Sequence, residues 1–144
     1  MAFTGNFVCT SFKVELMTAT HNFTLSTGNT FNIALYDNNA SFTAATTAYT
    51  ATDEVSGTAY VAKGNTLVNV TPTSSSTTAL TDFSDSTWSS STITARGAMI
   101  FNDTASGDPS VVILDFGSDK SSSSGDFTIV FPTADSSSAI IRIA

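Results

Sequence analysis

The chain has 144 residues, 41% hydrophobic and only 12% charged, with a formal net charge of −7; a length near the usual domain size of about 100 to 150 residues implies one core and one domain. Its five basic residues leave no stripe that could neutralise a run of phosphates, so nucleic acid and anionic membranes are not expected partners. The single cysteine, Cys9, rules out an internal disulfide framework, and no apolar run approaches the roughly 20 residues of a membrane-spanning helix.

From the N-terminus, Met1 to Thr10 carries Phe3, Phe7 and Val8 outside the main strand pattern and reads as an arm able to reach a neighbouring subunit. It has no basic region before Lys13, so a signal peptide is not expected. Phe12, Leu16, Ala19 and Phe23 follow at spacings of one helical face and predict a short helix over 11–23, capped by Thr10 or Ser11 and ended near Asn22. After Gly28 the period becomes two, with Phe31, Ile33 and Leu35 on one face of a strand and Thr30, Asn32, Ala34 and Tyr36 on the other. Asp37, Asn38 and Asn39 read as a turn. The Thr- and Ala-rich stretch Ala40 to Ser56 reads as a surface excursion that could fold Tyr49 back onto the core.

Further strands are predicted at Ala59 to Ala62, Leu67 to Val70, Leu80 to Phe83, Ser91 to Ala95, Ala98 to Phe101, Val111 to Phe116, Phe127 to Phe131 and Ala139 to Ile143. The run Val111 to Phe116 is apolar enough to be covered on both faces, whereas Thr71 to Thr78 and the low-complexity tract Ser118 to Gly125 read as loops. Short strands punctuated by Gly, Pro, Asn and Ser predict an all-β domain, a β-sandwich of about eight strands, jelly-roll-like or immunoglobulin-like, with one short N-terminal helix. No linker and no repeat of fixed period divides it.

The polar role falls to 22 Ser and 25 Thr, which predicts a hydroxyl-rich surface of weak charge, suited to packing against neighbours and equally to strands and turns. Asparagine sequons begin at Asn22, Asn39, Asn69 and Asn102, about the number that chance supplies at this Ser and Thr content.

Catalytic chemistry is sparse. A Ser-His-Asp site needs an imidazole, and His21 is the sole histidine, placed at the end of the predicted helix where exposure is usual. One Cys and one His cannot make a zinc site. Asp115, Asp119 and Asp126 flank one loop and Asp82 and Asp85 flank Phe83, without EF-hand spacing, so turn-forming roles are favoured over calcium. Asp115-Phe116-Gly117 spells the kinase magnesium triad with none of its companion motifs. Ten Asp and two Glu make any glycosidase-like acid pair unspecific. Tyr36, Tyr49, Tyr60 and Trp88 are the rings that could stack on a sugar, Trp88 from a loop beside Ser89 to Ser91, although core filling is the favoured role for Trp88. No catalytic, metal or cofactor-binding residue is therefore assigned, and no cofactor is expected.

The run Ser86-Thr87-Trp88-Ser89-Ser90-Ser91-Thr92-Ile93-Thr94-Ala95-Arg96-Gly97-Ala98-Met99-Ile100 resembles a segment that recurs in small structural proteins of tailed bacteriophages. Val111 to Lys120, with its Asp115-Phe116-Gly117 centre, then Gly125 to Pro132 and Ala139 to Ile143 resemble the same group, as do Phe31 to Tyr36 and Glu54 to Gly57. The likeness implies a virion component with a role in assembly and not in catalysis. Taken with the low charge and the N-terminal stretch Met1 to Thr10, it leads to the expectation of a non-enzymatic protein that decorates or cements the capsid by binding the major capsid protein or other virion proteins as a homo-oligomer, with a trimer as the expected state. A neck or tail component and a carbohydrate-binding module are the alternatives, and the expected location is the virion.

Overall fold

The computed structural model describes residues 3–144. Among them run β1 (Phe7–Val8), α1 (Thr10–Met17), β2 (Phe31–Tyr36), β3 (Asn65–Thr66), β4 (Asn69–Ser75), β5 (Thr78–Phe83), β6 (Ser86–Ser91), β7 (Thr94–Asn102), β8 (Ser110–Ser121), β9 (Gly125–Ile129) and β10 (Ile141–Ile143). All strand pairs are antiparallel. They form a five-stranded sheet ordered β1-β8-β7-β2-β3, a three-stranded sheet β10-β5-β4 and a two-stranded sheet β6-β9. The fold is all-β and sandwich-like, as the punctuated strand pattern predicted.

The order of pairing explains the layering. Phe101 lies opposite Ser110 and Thr94 opposite Ser121 in β7 and β8, then Ser91 opposite Gly125 in β6 and β9, then Thr81 opposite Ile141 in β5 and β10. These are nested pairs about one hairpin, the arrangement from which a jelly roll is wound. A wide irregularity at 116–119, opposite Arg96, bends the ribbon before it passes from the five-stranded sheet to β6-β9. Gly117 supplies the positive φ of 76° that this bend uses. Asp115-Phe116-Gly117 is thus a backbone device: the Asp115 carboxylate accepts the Gly117 N–H.

β2 is buried along its whole length. On its inner face Phe31 stacks on Phe23 at 4.4 Å and meets Phe83 of β5 at 5.7 Å, which joins the two larger sheets. A fully buried Phe of this kind contributes about 1.5–3 kcal/mol of transfer free energy. The outer face is covered by the 40–56 excursion: Phe42 meets Tyr36 at 4.7 Å and Tyr49 stacks on Phe101 at 4.7 Å. Tyr49 does fold back, and β2 is buried on both sides.

Several expectations are corrected. The helix spans Thr10–Met17 instead of 11–23, and Cys9, not Thr10 or Ser11, is its N-cap, without a side-chain cap bond. It stops because Thr20 N–H bonds Glu15 O and Ala19 N–H bonds Leu16 O, with Ala19 at φ 57°. Those two bonds and the left-handed residue make a Schellman ending, here without glycine. The N-terminal stretch is not a free arm over its described residues. Phe3 is 3% exposed against Gly97 and Phe42, and Phe7 and Val8 pair with Ile113 and Val112. Ala59 to Ala62 is a turn with Ala59 at φ 65°, not a strand. Thr71 to Ser75 and Ser118 to Ser121, read as loop, lie within β4 and β8, and Trp88 lies in β6.

Candidate interaction surface

His21 lies beyond the helix with a fully buried side chain, contrary to the exposed position expected. Its Nε2 is 2.7 Å from Glu15 Oε2 and its Nδ1 is 3.0 Å from Asn102 Nδ2. Asn102 Oδ1 accepts the N–H groups of Thr104 and Ala105, which fixes the amide orientation and makes Nδ2 a donor. His21 Nδ1 is therefore the acceptor, and Nε2 carries the proton towards Glu15. Both nitrogens are engaged and the ring packs 4.9 Å from Phe12. The network ties the segment after α1 to β7.

A second network sits on the outer face of β2. Glu54 Oε1 accepts from Tyr60 OH and Lys63 N–H, both at 2.7 Å, and Oε2 accepts from Tyr49 OH at 2.6 Å. Tyr60 OH also accepts the Leu35 N–H at 2.8 Å. Lys63 Nζ bridges Asp103 at 2.7 Å and Asp108 at 2.8 Å, and these carboxylates push its pKa up. Burial, with the Glu54 carboxylate next, pushes Tyr49 up to about 12 and holds Tyr60 above the ordinary phenol value. The network fastens 48–63 to the sheet.

Of the aspartates weighed for calcium, four accept main-chain N–H groups and Asp119 accepts a side-chain amide. Asp82, buried and raised by desolvation, accepts from Phe83 N–H and Ile140 N–H. Asp85 accepts from Phe131 N–H and Asp126 from Ser90 N–H. The Gly117 N–H, with Arg96 beside it, lowers Asp115. Asp119 takes Asn38. Among the described residues no three His, Cys, Asp or Glu side chains come together as metal ligands do. Of the candidate sugar-stacking rings, Tyr36 is 0% and Trp88 3% exposed, and Tyr49 and Tyr60 are half-buried with their hydroxyls on Glu54.

What the surface does offer is apolar relief and open sheet edges. A groove of about 470 Å³ runs between the end of α1 and the β10-β5-β4 sheet, lined by Leu16, Phe23, Pro72, Leu80, Ile141 and Ile143. A second groove, of about 500 Å³, follows β9 beside Phe116 and Lys120. Met17, Val61 and Val130 are more than two-thirds exposed. Sequence periodicity separates core from solvent and contains nothing about which exposed strand edge stays unpaired, so neither groove had a signal in the sequence.

No protein-family model matches the chain, and neither a curated protein nor a solved structure matches it. The described residues present hydroxyl-rich strands, short edges and apolar grooves.

Proposed function

We propose that this chain is a non-enzymatic virion structural protein of a tailed bacteriophage, decorating or cementing the capsid by binding the major capsid protein. The observation that carries this reading is the likeness, spread from Phe31 to Ile143, to small structural proteins of such phages, centred on Ser86 to Ile100 and Val111 to Lys120. The segments that bear it build β6, β7 and β8, the ribbon that carries the sandwich. A surface of Ser and Thr with few formal charges supports close packing against neighbours without strong mutual repulsion.

Copy number in purified particles, by quantitative mass spectrometry against the major capsid protein, tests the reading. A ratio near one copy, or one oligomer, per capsomer position is the expected result. On the order of a dozen copies would move the protein to the neck or tail, and absence from particles would overturn the virion reading. A sugar-binding module needs an exposed ring, and the burial of Trp88 and Tyr36 counts against it; a glycan array with no hit would remove it.

A further inference from the structure

Edge strands expose unpaired peptide groups and are ordinarily protected by shortness, proline, bulges or charge. Here β1 and β3 have two residues each and β10 three, and β4 carries Pro72 and a register shift. β6 is bulged at 88–91 and has its Thr87 carbonyl taken by the Asn65 side chain, whereas β9, the other strand of that sheet, runs five residues without proline, hydrogen-bonded on one side only, to β6.

Its open side can be assigned. Phe131 N–H points to Asp85 on the β6 side, and the Thr87 and Thr128 hydroxyls lie 2.9 Å apart, the close approach of a pair that does not share main-chain bonds. Peptide groups alternate along a strand, so those of Phe127 and Ile129 face β6 and those of Asp126, Thr128 and Val130 face outward. Among the described residues, no turn, loop or side-chain bond satisfies the amides of these three.

We propose that this edge pairs with the same edge of a second copy, β9 to β9 about a two-fold axis through Thr128. An antiparallel edge is self-complementary under a two-fold operation, which repeats one patch on both subunits. The register centred on Thr128 sets Thr128 opposite Thr128, Phe127 opposite Ile129 and Asp126 opposite Val130. Apolar residues then meet on the core face, and no like charges oppose. Val130, 73% exposed in the single chain, is covered. Lys120, whose ammonium has no carboxylate partner among the described residues, lines the same groove and meets an incoming strand that carries Asp126. The pairing turns a two-stranded sheet, marginal alone, into a continuous four-stranded one.

The inference goes beyond the virion reading and does not rest on it, because the purified chain tests it. Sedimentation equilibrium across a concentration series is expected to show a monomer–dimer equilibrium. Val130→Asp, at an exposed position that leaves the fold intact, sets carboxylates opposite each other twice per dimer and is expected to raise the dissociation constant about tenfold. Val130→Lys, opposite Asp126, is expected to lower it. Thr128→Cys, at the two-fold axis, is expected to give a disulfide-linked dimer under mild oxidation, since the chain's own Cys9 is fully buried. A wild-type chain that stays monomeric or forms trimers, or two Val130 variants that shift the equilibrium in the same direction, would overturn the proposal.

Discussion

Glu54 offers the sharpest test of how the long excursion is held. Its carboxylate accepts three hydrogen bonds of 2.6–2.7 Å, from two phenols and one amide. Bonds to a charged acceptor are each worth about 1.5–3 kcal/mol, although they are not additive. Glu54→Ala removes both acceptor oxygens and with them all three bonds. Tyr49 regains water, while Tyr60 and the Lys63 amide are left short of partners, so a loss of about 3 kcal/mol is expected. For a chain of this size that corresponds to a melting temperature lower by about 6–12 °C. Glu54→Gln keeps one oxygen for Tyr60 and Lys63 and turns an amide towards Tyr49, whose hydroxyl can rotate to accept; its cost should be about half as large. Thermal and urea unfolding of the two variants measure the series, and hydrogen exchange at Leu35, whose N–H bonds Tyr60, reports the same network. If both variants fell within about 0.5 kcal/mol of wild type, as ordinary surface changes do, the network would not hold the excursion.

The same cluster sets an alkaline limit. Tyr49 loses its proton at about 12 when folded and near 10 when unfolded, and Tyr36 and Tyr60 shift in the same direction. Above pH 10 the unfolded chain therefore holds fewer protons than the folded one, and stability should fall from there towards pH 12; a flat pH profile of urea midpoints across that range would contradict the assignment. At Gly97 an added Cβ would lie 2.5 Å from Leu114 O and 2.5 Å from the Phe3 ring. Gly97→Ala should cost about 1–3 kcal/mol and loosen the N-terminal segment; combined with Phe3→Ala the two losses should sum to less than their separate values, and strict additivity would refute the contact. Cys9 is fully buried and its thiol is raised by desolvation, so an aromatic disulfide reagent should react at the unfolding rate and not on mixing.

Legibility in the sequence followed the physics of each element. β2 was readable to within one residue, because Phe31, Ile33 and Leu35 alternate and Asp37 ends the run; Thr30, which continues the alternation, lies outside the strand. β4 and the ends of β8 were not, because Thr71 to Ser75 and Ser118 to Ser121 are hydroxyl-rich and, in this chain, the same residues serve exposed strand faces and turns. The helix was overextended because Ala19 and Phe23 continue its spacing; Phe23 is buried for another reason, its stacking on Phe31, and the stop at Ala19 lacks the glycine that usually announces it. The burial of His21, the sole histidine, depends on Asn102, 81 residues away, which no local pattern connects to it.

The acidic balance of the chain has a structural use that bears on partners. Asp37, Asp82, Asp85, Asp115, Asp126 and Asp135 each accept main-chain N–H groups at turns or strand ends, and Asp103 and Asp108 hold Lys63. Negative charge is thereby distributed around the fold at the positions where the ribbon turns. A distributed charge gives little steering of a partner, and what it gives is screened over about 8 Å at physiological ionic strength. The proposed pairing would then draw chiefly on main-chain edge bonds and buried apolar side chains, terms that salt scarcely weakens, with Lys120 and Asp126 adding a smaller, screened part. The β9-mediated dimer is accordingly expected to change its dissociation constant less between low and molar sodium chloride than on Val130→Asp; a steep salt dependence would place charge, and not the strand edge, at the centre of the interface.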